Sequence, residues 1–189
     1  MTALILGGTF NPVHCGHLFL AEDARRSLGY DTVILVAAFR PVHKDPAPVL
    51  AAEHRLAMLR LAVQGRDGFL VDDCEIRRGG PSFSIDTVRD LVPRLGIEGR
   101  PGFLVGDDPL AGFASWKEPD SLAHETDLVV VRRGTSEVPS FGYPHRVFAN
   151  TVFPVSSSEI RRRAAEGRTI RFLVPDPVAD YIESRRLYG

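Results

Sequence analysis

The stretch Ala3-Leu4-Ile5-Leu6-Gly7-Gly8-Thr9-Phe10-Asn11-Pro12-Val13-His14-Cys15-Gly16-His17 decides how this chain is read. Residues 3–6 are a continuous apolar run, the pattern of a strand covered on both faces, and they stop at a glycine pair. Residues 18–28 then follow a helical period and end at Gly29, a residue that closes helices. Strand, glycine turn and helix make the opening unit of a parallel α/β sheet. Ligands of such open sheets bind beyond the carboxyl ends of the strands, so residues 7–17 are the first place to look for a site. Gly7 and Gly8 let the backbone approach a ligand and leave N–H groups for an anion. His14 and His17 stand three residues apart where the helix dipole favours phosphate. Each imidazole is expected to donate two hydrogen bonds and to become cationic as an anion arrives. Gly16 between them is expected to keep a Cβ off the ligand side.

Outward from this stretch, strands and helices alternate. Residues 32–38, 69–71, 103–105 and 128–131 read as further strands, which with the first gives about five. Residues 51–63 read as a helix, with Leu56, Leu59 and Val63 at core spacing, and residues 85–95 are helical up to Pro93. Residues 40–48 hold three prolines and are expected to be a loop throughout. The alternation predicts a single α/β domain over residues 1–189, a doubly wound and mostly parallel sheet. Near the C-terminus, Ser156 and Glu159 have the spacing of a capping box, and Asp176 stands as N-cap before Pro177.

Composition limits the partners. Of 189 residues, 44% are hydrophobic and 25% charged, which excludes a disordered or fibrous chain. A chain this long buries roughly 70% of its unfolded surface, enough for a sizeable core. The net charge of −1 excludes a generally basic nucleic-acid coat, and no apolar run reaches membrane-spanning length. Nucleic-acid and membrane partners are therefore not expected. Charge is uneven, however. Residues 1–131 carry 13 basic and 18 acidic residues, net −5, and residues 132–189 carry 10 and 6, net +4. A basic C-terminal third suits an anionic small molecule. Cys15 and Cys74 form no CxxC and no disulfide framework, which points to the reducing cytoplasm.

Each feature also has a plainer reading. A glycine pair is more often a tight turn than a phosphate loop. Two histidines at i, i+3 with Cys15 or Asp23 nearby could hold a metal, but a convincing third and fourth ligand are missing. GxGxxG and GxxxxGK[ST] are both absent, which demotes hydride transfer and P-loop hydrolysis. Trp116 has core packing as its usual fate. Asp108 reads equally as a helix cap, Arg132 as a partner of a surface carboxylate, and Arg162 and Arg163 as solvated side chains.

The first stretch resembles the HxGH signature loop of the nucleotidyltransferase superfamily. Its longer form is similar to GGTFxPxHxGH of the nicotinate-nucleotide adenylyltransferases, with Asn11 where aspartate is common. Further resemblances follow in order. Pro41-Val42-His43-Lys44 is similar to PPHK, and Ser82-Phe83-Ser84-Ile85-Asp86-Thr87 to SYTxDT. Gly106-Asp107-Asp108 through Trp116 is similar to GAD followed by a tryptophan, and Val131-Arg132-Arg133-Gly134 to VxRPG. Val155-Ser156-Ser157-Ser158-Glu159-Ile160-Arg161 resembles ISSTxIR, and Leu173-Val174-Pro175 to Leu187-Tyr188 resembles LVPxxVxxYI…LY. The matches span nearly the whole chain.

The resemblance implies a Rossmann-like fold and adenylyl transfer from ATP to nicotinate mononucleotide, giving deamido-NAD and pyrophosphate. It implies Mg²⁺ held mainly by the ATP phosphates and no protein metal site. By the same resemblance His14, His17 and Arg161 act on the phosphates. Gly7, Gly8, Thr9, Phe10, Lys44, Ser156 and Ser157 bind ATP, and Ser84, Gly106, Asp108, Trp116 and Arg132 bind the mononucleotide. A homo-oligomer stays open. The competing readings are a related adenylyltransferase, for nicotinamide mononucleotide or phosphopantetheine, and a non-catalytic nucleotide-binding regulator.

Overall fold

The first apolar run forms β1 (Ala3–Gly8) and the helix behind it α1 (Cys15–Leu28), which closes on Gly29 in the left-handed conformation at φ 76°. In chain order there follow β2 (Thr32–Ala37), β3 (Arg40–Pro41), α2 (Ala52–Ala62), β4 (Phe69–Asp72), α3 (Cys74–Arg78), β5 (Pro81–Ser82), α4 (Ser84–Leu95) and β6 (Gly102–Gly106). A 3₁₀ helix (Asp108–Ser115), α5 (Pro119–Glu125), β7 (Asp127–Arg133), β8 (Arg146–Asn150), α6 (Ser157–Ala165) and α7 (Asp176–Ser184) complete the chain. The computed structural model describes residues 1–42, 49–106, 108–133, 142–151 and 153–189, with only the backbone described at 108, 109 and 133.

Among the described residues, six parallel strands form the sheet in the order β4-β2-β1-β6-β7-β8. Side chains alternate across a strand, and the core divides accordingly. Leu4, Leu6, Val33, Leu35, Val129 and Val131 face one way, against Ala21 and Ala24 of α1, Met58 and Leu59 of α2, Ile160 of α6 and Val178 and Ile182 of α7. Ala3, Ile5, Ile34, Val36, Leu128 and Val130 face the other way, against Ile85, Val88 and Leu91 of α4, Phe113 of the 3₁₀ helix and Leu122 of α5. Full burial of each such side chain stabilises the fold by roughly 1.5–3 kcal/mol, which is why the runs are apolar at every position.

Strand order places the site. β1 pairs with β2 along its whole length but with β6 only at Leu4 and Ile5. Past Ile5 the two strands part, and the connections run outward in opposite directions from this point. The resulting crevice lies at the carboxyl ends of the strands, where doubly wound sheets bind ligands.

Several sequence expectations need correction. The sheet has a sixth strand, β8, whose sequence Arg-Val-Phe-Ala-Asn buries only Phe148, as an edge strand permits. Residues 40 and 41 are not loop: they pair with Pro81 and Ser82 as the small β3–β5 ribbon, and the Phe39 and Arg40 N–H groups donate to the Ser82 Oγ. Helix α4 continues past Pro93 to a left-handed Gly96, because proline in the last turn removes only one ladder bond. α7 starts one residue early, with Pro175 as the cap and Asp176 already helical. Ser156 does cap α6, its Oγ accepting the Glu159 N–H at 3.2 Å. The carboxylate of Glu159 pairs instead with Arg162 and Arg163, so that box is half formed.

Candidate active site

The two histidines build the helix start they share. His14 is the N-cap of α1 in extended geometry, and its Nδ1 accepts the His17 N–H at 3.3 Å. The His17 Nδ1 accepts the His14 N–H at 3.3 Å in return. This is a capping box made from imidazoles in place of a hydroxyl and a carboxylate. The rings stack with centroids 3.6 Å apart. Each ring accepts at Nδ1, which leaves Nε2 as the nitrogen that can donate while this cap is made.

Phe10 props this pair from the side. Its buried ring meets His17 edge-on at 5.1 Å and lies over Gly8, where a Cβ would come within 3.0 Å of it. Phe10 therefore offers a ligand its main chain alone. A Cβ on Gly7 would meet nothing within 4 Å, so that glycine keeps the crevice open. A Cβ on Gly16 would stand 3.1 Å from His14 Nδ1 and 3.1 Å from Val155 Cγ1, so the glycine makes room for the histidine cap, and it also lines the cavity beside the histidines.

The C-terminal third clamps this loop. The Cys15 N–H donates to the Leu173 carbonyl at 2.9 Å, Ser157 Oγ to the Pro12 carbonyl at 2.8 Å, and Tyr188 Oη to Asn11 Oδ1 at 3.0 Å. Arg161 donates from Nη1 to the Asn11 carbonyl at 2.8 Å and from Nη2 to Ser158 Oγ at 3.1 Å. The three arginines of α6 differ in their partners. Arg162 pairs with Glu159 and Glu166, and Arg163 with Glu159, whereas Arg161 meets no carboxylate among the described residues. Ser157 Oγ gives its proton to the Pro12 carbonyl, and Ser156 is the exposed member of the pair. Burial pushes the Tyr188 phenol well above its ordinary range, so it stays a donor.

A cavity of about 360 Å³ opens beside the histidines, lined by His14, His17, Asn150, Phe153, Ser156 and Glu159 among others. Alternation along β8 puts Asn150 on the face of Phe148, under α1 and α6. Its Oδ1 is buried without a hydrogen-bond partner among the described residues. A larger cavity of about 420 Å³ lies between α4 and α5, at the amino ends of β6 and β7. Its arginines are already paired, Arg89 with Glu118 and Glu125 and Arg100 with Asp127, and it is far from the strand ends where the glycines lie.

The opposite face of the sheet gathers a second group. Ser84 opens α4, half-buried, with no hydroxyl partner among the described residues. Lys117 Nζ reaches Asp86 at 2.7 Å and sits 5.2 Å over the Phe83 ring, which brings Trp116 to the Ser84 end of α4. Trp116 is half-buried against Phe113, ring centroids 5.0 Å apart, so one side packs on the core and the rest faces out. Gly106 ends β6, and Asp108 begins the 3₁₀ helix. Arg132 alternates with Leu128 and Val130 and so belongs to this face; its Nε is buried without a partner among the described residues. Lys44 and Asp107 lie outside the described residues.

Sequence reading missed Arg55, Asn150, Lys117 and the clamp role of Tyr188. Arg55 had a signal: it stands between Ala52, Leu56 and Leu59 on the stripe of α2 that faces the core, where a charge is out of place. Its side chain is 1% exposed. Among the described residues there is no group of three or more His, Cys, Asp or Glu able to hold a metal ion, and no helix long and apolar enough to cross a membrane.

Residues 5–163 match the cytidylyltransferase-like family. Over 188 residues the chain is 38% identical to a probable nicotinate-nucleotide adenylyltransferase of Borreliella afzelii, covering all of this chain and 97% of that protein. It is 39% identical over 195 residues to another of the same name from Symbiobacterium thermophilum, covering 97% of this chain and 93% of that one. In fold it is similar to a Plasmodium falciparum nicotinic acid mononucleotide adenylyltransferase complexed with NaAD, at TM-score 0.77, 17% identity and 99% coverage of this chain.

Proposed function

This chain belongs to the nicotinate-nucleotide adenylyltransferases of the cytidylyltransferase-like family, and from that premise we propose that it joins the adenylyl group of ATP to nicotinate mononucleotide. The observation that carries the reading is the imidazole capping box. It sets two stacked imidazoles at the positive end of a helix, beside an arginine with no carboxylate partner among the described residues, at the mouth of the crevice between β1 and β6.

The phosphate oxygen of the mononucleotide would attack the α-phosphorus of ATP while the bond from that phosphorus to the β-phosphate oxygen breaks, releasing pyrophosphate. The attacking group is already an anion, so the protein need supply neither nucleophile nor general base. Its work is alignment and stabilisation of charge growing on the phosphates. The Nε2–H groups of His14 and His17 and the guanidinium of Arg161 would supply that stabilisation. ATP would occupy the face of α1 and α6, with Ser156, Asn150 and the backbone of residues 7–10 around it, and Lys44 would approach its phosphates. The mononucleotide would occupy the face of α4 and the 3₁₀ helix, with Trp116 stacking on the pyridine ring and Ser84, Gly106, Asp108 and Arg132 around its polar groups. ATP would enter as its Mg²⁺ complex, the ion held mainly by phosphate oxygens and lowering their charge. With two free cysteines, the protein would work in a reducing cytoplasm.

Pyrophosphate release from ATP, followed with nicotinate mononucleotide, nicotinamide mononucleotide and phosphopantetheine in turn, tests the proposal. Release with the nicotinate compound as the best substrate is expected. Release with phosphopantetheine alone would assign the related activity, and ATP binding without release would assign a regulator.

A further inference from the structure

We infer that Arg55, buried beneath the crevice, is a positioning residue that sets the phosphate-binding conformation of residues 7–11. The inference rests on the adenylyl-transfer reading for its consequence, though its geometry is independent of it. The guanidinium bonds three main-chain carbonyls from three separate segments: Nε to Leu50 at 2.9 Å, Nη1 to Thr9 at 2.8 Å and Nη2 to Phe39 at 3.3 Å. Thr9 follows β1, Phe39 follows β2, and Leu50 precedes α2. All three stand at the carboxyl edge of the sheet.

The fold does not need a cation here. Removing a guanidinium from water is costly, and an apolar side chain of similar volume is often the more stable choice at such a place. Arg55 has no carboxylate partner among the described residues, and burial lowers its proton affinity from the ordinary value. What the arginine supplies is geometry. A planar fork with five donors can meet carbonyls in three directions, which a lysine ammonium at a single point cannot.

The consequence is local and specific. In a trans peptide the carbonyl and the next N–H point in opposite directions. Holding the Thr9 carbonyl therefore turns the Phe10 N–H away from Arg55. That N–H has no hydrogen-bond partner among the described residues, and Phe10 is held at φ 48°, a conformation a non-glycine residue adopts only when its surroundings impose it. The same logic applies at Phe39, whose carbonyl is held by Arg55 while the Arg40 N–H on the other side of that peptide goes to Ser82 Oγ. Leu50 is fixed at both ends, its carbonyl by Arg55 and its N–H by Asn11 Oδ1 at 3.3 Å. One side chain thus locks the phosphate loop to the segment that leads to Ser84.

Two variants test this, Arg55→Met, which keeps the volume without donors, and Arg55→Lys, which keeps the charge without the fork. Both are measured well below their own melting temperatures and normalised to folded protein. Misplacement of reacting groups by about an ångström costs on the order of 10²-fold, so kcat should fall about that much in Arg55→Met and about tenfold in Arg55→Lys. KM for the mononucleotide should stay within about threefold of wild type. The rise in Tm produced by ATP alone should shrink in the same order, a readout that needs no reaction and so separates this inference from the functional reading. A folded variant with wild-type kcat and an undiminished ATP shift would overturn it. So would failure of both variants to fold, which would assign Arg55 to stability alone.

Discussion

The two faces of the sheet carry their ligand groups in different ways. On the face of α1, the loop residues beside the proposed phosphate site hold one another. His14 and His17 hold each other, Phe10 props His17, and Asn11 is gripped by Arg161, Tyr188 and Leu50. On the face of α4, Ser84 has no hydroxyl partner among the described residues, Trp116 is half-exposed, and their segments are tied through Lys117, by an ion pair with Asp86 and its place over the Phe83 ring. Surface pairs contribute little, about 0–1 kcal/mol. On the proposed reading, the first face is prebuilt for charge that appears only in the transition state, and the second is shaped for a planar ring that needs contact and little else. Losses on the first face should therefore appear in kcat, and losses on the second mainly in KM and selectivity.

The largest effect should come from His17→Ala. Removing one preorganised donor typically costs ~10²–10³ in turnover, and the variant also loses the cap bond to the His14 N–H. A lost cap costs ~1 kcal/mol, which lowers Tm by roughly 2–4 °C in a chain of this size. A folded variant with near-normal kcat would remove the distinction between the faces.

The base-binding face should show itself in selectivity. Unpaired polar groups cost ~1–3 kcal/mol when buried, so wild-type kcat/KM should favour the acid mononucleotide over the amide by more than about tenfold. Ser84→Ala should narrow that ratio by hurting the acid alone. Trp116→Ala should raise KM about 3- to 10-fold for both forms, through lost stacking worth ~0.5–1.5 kcal/mol. A fall in kcat instead would place Trp116 with the prebuilt face.

How far the sequence could be read also divides along this line. The central strands and α1 were legible because runs such as residues 3–6 have a physical reason to be apolar at every position. The order of motifs also singled out His14, His17, Ser84, Trp116 and Arg161. What could not be read was geometry that depends on distant partners. Nothing local says that Gly16 yields to the His14 ring, that the Ser157 proton goes to Pro12, or that Tyr188 reaches Asn11 across the chain. β8 escaped notice because an edge strand with one buried side chain lacks an apolar signature.

Arg161→Ala is the intermediate case, because two opposing effects act on its stability. The cation opposes the dipole at the start of α6, worth up to ~1 kcal/mol, but its bonds to Asn11 and Ser158 contribute about as much in the other direction. The free protein's Tm should consequently move by less than about 3 °C, while ATP binds about tenfold more weakly for the loss of a charge-assisted hydrogen bond. A large loss of stability with unchanged ATP affinity would make Arg161 purely structural.

The smallest effect concerns pH and lies outside both faces. Hydrogen bonds from Arg25 and then Arg26 hold the Glu22 carboxyl at about 2, below its ordinary 4.5. A depressed carboxyl contributes stability above its unfolded pKa and loses it as pH falls through the folded one. Glu22→Gln should therefore flatten the stability curve between pH 4.5 and about 2, by less than about 1 kcal/mol because solvent screens the partly exposed cluster. An unchanged acid limb would show the pair to be without effect.

Rapid quenching of a reaction with ATP labelled at its α-phosphorus tests the central claim, transfer by alignment without a protein nucleophile. The label should pass from ATP into nicotinate adenine dinucleotide, with none on the denatured protein at any time and with pyrophosphate released in equal amount. Label retained on the protein in the first turnover, or released as AMP without dinucleotide, would contradict the account.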